Sequence, residues 1–264
     1  MIKRVNLFSG KRQGIEDMSG AELIQGKYKI ECTLRASEDY VAYRAVDIED
    51  REKKSVILNV YSGQYVKEFV KVFHDLGNCG DYKGMFLYDG KIASIFKWNT
   101  GENFSQIFKK KADLSIEYRM KSGDQLFHIG LLVDSYPEEI RRSVLCDDNF
   151  RVKQASEEIV LNFLISPDKK HVSVAKVIES KVRTVFPRGF TVPIVQREFF
   201  LSLEEKPPED GKELFERWRE YKEPIADAWK KSMKRGSIER FFEIIFMNIK
   251  WFFKYYFRKW RRKR

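Results

Sequence analysis

The sequence predicts an α+β chain, with strands in its first half and helices in its second. Three observations carry this. Short apolar alternations of period two recur between residues 27 and 98. One helical repeat interrupts them, and helical spacing dominates beyond about residue 110. With 264 residues, 43% hydrophobic and 34% charged, the chain can bury a sizeable core.

The elements follow in order. Residues 1–26 are polar and Gly-containing and read as an N-terminal extension. Tyr28, Ile30 and Cys32 alternate with Lys29, Glu31 and Thr33, the mark of a first strand. Tyr40–Asp47 and Ser55–Tyr61 are two more, joined by the charged hairpin loop Ile48–Lys54. Gln64–Leu76 is helical, with Val66, Phe69, Val70, Phe73 and Leu76 on one side. Gly84–Tyr88 and Lys91–Trp98 then flank Asp89-Gly90, a strong hairpin turn. The expected lobe is therefore five-stranded with one helix, over residues 27–109.

A helical region is expected over residues 110–235. Ile116–Val133 has helical spacing, Tyr136-Pro137 marks a turn before Glu138–Arg142, and Val144–Val152 and Glu158–Ile165 read as short strands around a turn. Pro207 to Gly211 is a breaker. Lys212–Met233 reads as a polar helix interrupted near Pro224, with Trp218, Tyr221 and Trp229 as packing anchors. Lys109-Lys-Lys111 is a solvated run.

Residues 236–264 form a distinct tail. The net charge of +11 is uneven, because Ser237–Arg264 alone holds nine Lys/Arg against two Glu. Phe242, Ile245, Phe246, Ile249, Phe253, Tyr256 and Trp260 recur at three- and four-residue steps. Arg240, Glu243, Lys250, Lys254, Arg258 and Arg261 do so on the other face, and Lys259, Arg262, Lys263 and Arg264 complete a cationic end. Three readings stay open: a core helix docked on the body, a helix lying on an anionic membrane surface, and a nucleic-acid grip. The body offers no nucleic-acid module, which disfavours the third. No run is long and uncharged enough to span a bilayer, and no apolar stretch follows the basic N-terminus to make a secretory signal.

Cys32, Cys79 and Cys146 are far apart and read as free thiols in a reducing compartment. The histidines His74, His128 and His171 are scattered, and no metal site is expected.

The order of elements resembles that of a protein kinase, and motifs support it. Leu34–Ala45 (LRASEDYVAYRA) is similar to the kinase Gly-rich loop at Leu34, Tyr43 and Ala45. Val56-Ile-Leu-Asn59 stands where V-A-I-K belongs. Asp89–Phe104 resembles the passage between the lobes, and Leu145–Val152 the catalytic loop, with Asn149 at its metal-binding Asn. Asn162-Phe-Leu164 resembles D-F-G, and Gly189–Ile194 the G-x-x-A-P-E segment. The resemblance covers roughly residues 27–200.

It implies a kinase-like chain without kinase chemistry. Arg35, Ser37 and Tyr40 replace the three glycines that let backbone approach phosphates. Asn59 replaces the phosphate-pairing lysine, a loss on the order of 2 kcal/mol or more. Ile57 crowds the adenine position. Val144 falls at the catalytic Asp and cannot accept a proton. Asn162 falls at the metal-binding Asp, leaving Asn149 alone of the metal pair. Glu68 lies near the lysine's usual partner and reads as a solvated residue.

The expectation is an inactive pseudokinase with a shortened helical large lobe, no cofactor and no ATP. It would scaffold or regulate through protein partners on the cytoplasmic face of a membrane. The layout is similar to the kinase-like cytosolic domain of the EssB/YukC family of bacterial secretion systems, which suggests a secretion or envelope complex, though that family's spanning helix is lacking. The rival expectation is an atypical active kinase or nucleotide-binding regulator.

Overall fold

The computed structural model describes residues 23–262, apart from 77–78, 111–113, 168–171, 188, 190 and 235. His171 and Lys111 therefore lie outside the described residues, as do Lys263, Arg264 and all of the N-terminal extension before Leu23. The fold is mixed α/β: a six-stranded antiparallel sheet, a three-stranded one and eight α-helices among the described residues.

The large sheet is built from β1 (Leu23–Ile24), β2 (Tyr28–Ser37), β3 (Tyr40–Asp47), β4 (Ser55–Tyr61), β5 (Tyr82–Tyr88) and β6 (Lys91–Lys97), in the order β1-β2-β3-β4-β6-β5. Five of these strands are the expected ones. The sixth, β1, falls in the segment read as an extension. A turn with Gln25 and Gly26 at positive φ folds Ile24 back against Tyr28, and Ile24 is buried. Two residues are too short a signal for any period to register. The Asp89-Gly90 turn has φ of 48° and 71°, the left-handed pair that matches the twist of a two-residue hairpin.

β4 is central and buried on both faces. Val56, Leu58 and Val60 face a small cluster with Tyr28, Ala45, Ala93 and Ile95. Ile57, Asn59 and Tyr61 face the other way, because residues two apart share a face. There Tyr61 stacks on Phe69 of α1 (Tyr65–His74) at 4.0 Å between ring centroids. That face belongs to the main core, which continues into the helical half.

The chain then passes through β7 (Glu102–Asn103) and α2 (Phe104–Lys110) to the long α3 (Ile116–Asp134) and to α4 (Glu138–Val144). Beyond them, β8 (Phe150–Lys153) and β9 (Glu158–Leu161) form the small sheet with β7. These strands start later and stop earlier than their apolar runs suggest. Val144 closes α4, and residues 162–166 leave the strand to meet the large sheet. The remaining helices are α5 (Val174–Val185), α6 (Ile194–Glu205), α7 (Gly211–Lys234) and α8 (Ser237–Arg262).

The expected break at Pro224 is absent: α7 runs through it. Proline removes one backbone hydrogen bond, and burial on both sides of it opposes a break. Trp218 stacks on Phe127 of α3 at 4.7 Å and donates from Nε1 to Asp124 at 3.1 Å. Trp229 donates to Gln196 of α6 at 2.8 Å. Gly211 starts α7 so close to Gly130 that a Cβ would sit 2.7 Å from the Gly130 carbonyl oxygen, so only glycine fits.

Candidate functional site

Some of the residues singled out in the sequence, Tyr40, Asn59 and Asn149 among them, fall on the seam between the large sheet and the helical half. Register explains the grouping. Tyr40 pairs with Tyr61, and Ala42 with Asn59, so Tyr40 stands diagonally beside Asn59 on the same face of the sheet. The segment after β9 runs under this face. Phe163 stacks on Phe96 at 4.8 Å with the rings 6° from parallel.

Asn59 is fully buried, and both its amide oxygen and its amide nitrogen are engaged. Its Oδ1 accepts from the Tyr40 hydroxyl at 2.9 Å and from the Ile165 amide at 3.0 Å. Its Nδ2 donates to the Phe163 carbonyl at 2.8 Å. One strand side chain thus ties the sheet to the main chain of residues 163–165. Tyr61 adds a parallel tie, donating to the Ile165 carbonyl at 2.6 Å. Burial pushes both phenols, Tyr40 and Tyr61, well above the ordinary tyrosine range, so they remain donors.

Asn149 and Asn162 extend the pattern. Asn149 donates to the Ser143 carbonyl at 2.8 Å and accepts from the Leu164 amide at 3.2 Å. Its carbonyl takes the Asn162 amide at 2.8 Å. Asn162 is not grouped with Asn59. Its side chain turns toward the connection after β6, where Oδ1 accepts from the Asn99 amide at 2.8 Å and Nδ2 donates to the Asn99 carbonyl at 3.2 Å. The Asn99 side chain donates in turn to the Leu161 carbonyl at 2.9 Å. The residue between the Asn59 and Asn149 amides is Leu164, which is apolar.

The other positions spread out. Ile57 is fully buried in the sheet, and Val144 is fully buried at the end of α4. Arg35 reaches across to Asp148 at 3.4 Å, an exposed ion pair of small energetic weight. Ser37 lies exposed at the β2–β3 turn and does not enter the seam. Glu68 is exposed on α1.

Sequence reasoning missed Asn99, Tyr61 and Ser143. A single buried asparagine leaves no periodic trace, and Tyr61 reads as one more apolar strand residue. Asp147 and Asp148, which follow Val144 closely in sequence, were also passed over. Both are mostly exposed and engaged, Asp147 with Lys181 and Asp148 with Arg35. The central groups are neutral amides, phenols and carbonyls already bonded to one another. Among the described residues, no group of three His, Cys, Asp or Glu side chains could hold a metal ion.

The tail helix α8 is the second candidate. Its mixed side faces the body: Asn248 accepts from Arg197 of α6 at 2.9 Å, and Lys254 pairs with Glu198. Lys254 is therefore turned toward protein. Phe242, Ile245, Phe246 (68% exposed), Ile249, Phe253, Tyr256 and Trp260 are exposed, and Ile249 and Phe253 also line an apolar cavity of about 980 Å³ between α8 and the body, with Phe186, Phe200 and Leu201. The ion pair and the amide contact hold α8 to α6, while much of its apolar stripe remains exposed. Phe241, Phe252 and Tyr255 widen the exposed surface. Arg258, Lys259, Arg261 and Arg262 belong to the last turns of α8. Among the described residues, no helix is long and apolar enough to cross a membrane.

No family model matches the chain, and no curated protein matches its sequence. Among solved structures, the chain is similar to one described as the crystal structure of Rad53 1-466 in complex with AMP-PNP, at 10% identity and a TM-score of 0.43. The match covers 59% of this chain and 46% of that one, less than half its length.

The asparagine seam makes a graded prediction. Asn59→Ala orphans three partners and should lower unfolding free energy by about 2–4 kcal/mol in denaturant titration, whereas Tyr40→Phe should cost on the order of 1 kcal/mol.

Proposed function

We propose that this chain is a protein-kinase-like module without phosphoryl-transfer activity, which works as a scaffold or regulator through protein contacts while α8 rests on an anionic membrane surface. The observation that carries the first half is the Asn59 amide. In a kinase-like reading, Asn59 stands at the lysine that would pair with nucleotide phosphates. Here it is neutral, buried and satisfied by Tyr40, Phe163 and Ile165. Admitting phosphates would break these three bonds and supply no cation in return. On the kinase-like reading, Tyr40 and Ile57, both buried, stand where the family has glycine and alanine.

The membrane half rests on α8. It carries a run of exposed aromatic and aliphatic side chains, a kind of surface that marks an interaction site. Cations follow it in sequence, each worth about 1 kcal/mol near an anionic leaflet. Aromatic rings suit the headgroup zone. Membership of a secretion or envelope complex, on the EssB/YukC layout, is a finer part of the same proposal.

Two experiments test the halves separately. A nucleotide bound at a hundred times its dissociation constant would stabilise by about 2.7 kcal/mol and raise Tm by roughly 5–10 °C. ATP with Mg²⁺ or Mn²⁺ should instead leave Tm unchanged; a metal-dependent rise would favour the rival enzyme reading. For the tail, the full chain should sediment with phosphatidylserine-containing vesicles and less with neutral ones. The triple variant Phe242→Ser, Phe246→Ser, Phe253→Ser should weaken that binding roughly tenfold or more. Unchanged sedimentation of the variant would remove the membrane proposal and leave the cleft argument standing.

A further inference from the structure

A second cavity, of about 550 Å³, opens between α2, the end of α4 and the face of α5. Its lining is cationic. Lys109, Arg142, Lys176 and Lys181 contribute four positive charges, and Asp147 is the single acidic lining residue. The hydroxyls of Ser105, Ser173, Ser180 and Thr184 complete the polar wall. The same cavity meets the start of α5, where Ser173 caps the helix and the helix dipole adds positive potential.

Lys181 is the unusual member. Only 6% of it is exposed, and its ammonium lies 4.8 Å from the Phe150 ring centroid and 5.3 Å from that of Phe104. A buried ammonium is costly without a partner. Its partner, Asp147, has a side chain 71% exposed and so is readily rearranged. Arg142 is held by Glu138 from its own helix. Lys109 and Lys176 are exposed at the rim, and no acidic side chain among the described residues pairs with either. The lining cations thus outnumber their paired carboxylates, Asp147 and Glu138, by two beside side-chain hydroxyls, an arrangement that solvation alone does not require.

We propose that this cavity binds a small anion carrying clustered phosphates. Its volume lies in the range of small-molecule sites and exceeds what one inorganic phosphate fills. Lysines and hydroxyls suit phosphate oxygens, the lysines as point charges and the hydroxyls as orienting donors. The Lys181–Asp147 pair sits at the inner wall, where a ligand phosphate can replace the carboxylate as counter-charge. Two sources offer this chemistry: a soluble bisphosphate, and the phosphorylated headgroup of a lipid.

The test uses the full chain at constant ionic strength. Inorganic pyrophosphate is titrated by calorimetry, and vesicles with and without phosphatidylinositol bisphosphate are tested by sedimentation. A soluble ligand requires saturable pyrophosphate binding; a headgroup requires a gain with the bisphosphate lipid. In either case the rim variant Lys109→Ala/Lys176→Ala should weaken binding about tenfold. The charge-matched control Lys67→Ala/Lys71→Ala, on the exposed side of α1, should leave it unchanged. Both rim lysines are exposed, so the variant tests the site without emptying the core. Absence of binding in both arms, or equal weakening by rim and control variants, would overturn the proposal.

Discussion

One buried amide sets the relation between the two halves of this molecule. Asn59 sits in the middle of a strand covered on both faces, where an unpaired polar group costs about 1–3 kcal/mol. It meets that demand by taking partners from a neighbouring strand and from the segment after β9. The bonds act in both directions. They satisfy Asn59, and they hold residues 163–165 against the sheet, where Phe163 stacks on Phe96. Asn149 and Asn99 do the same one step away, each fixing main chain that would otherwise be buried without a partner.

The groups of the seam are neutral and mutually satisfied, and aromatic rings pack around them. The exposed surfaces are the opposite. α8 presents apolar side chains to solvent, and the cavity beside α5 concentrates cations. Free energy of association can therefore come from the periphery while the seam contributes stability.

Much of the fold was legible because its elements carry clean periods. β3 and β4 fall on the bounds that alternation predicts, and the Asp89-Gly90 turn has the predicted geometry. What failed to register was local or tertiary. β1 is two residues long. β2 loses its alternation where the ladder shifts between Ile30 and Cys32, which leaves Cys32 exposed. Pro224 reads as a breaker, yet Trp218, Ile225 and Trp229 are buried along one continuous helix. At the seam, motif spacing located Asn59, Asn149 and Asn162, but not which way each amide turns. That depends on partners up to 106 residues away in sequence, as with Ile165 and Asn59. For α8 the stripe was plain in the sequence; which side meets the body was decided by Glu198 and Arg197 on another helix.

Amide hydrogen exchange of the free protein tests the closed seam most directly. The N–H groups of Asn99, Asn162, Leu164 and Ile165 each donate to an asparagine of the seam. They should exchange as slowly as the central strand β4, through global unfolding alone. Fast exchange at these four amides, slowed by added nucleotide and magnesium, would mean that the two halves part to admit a ligand and would contradict the account.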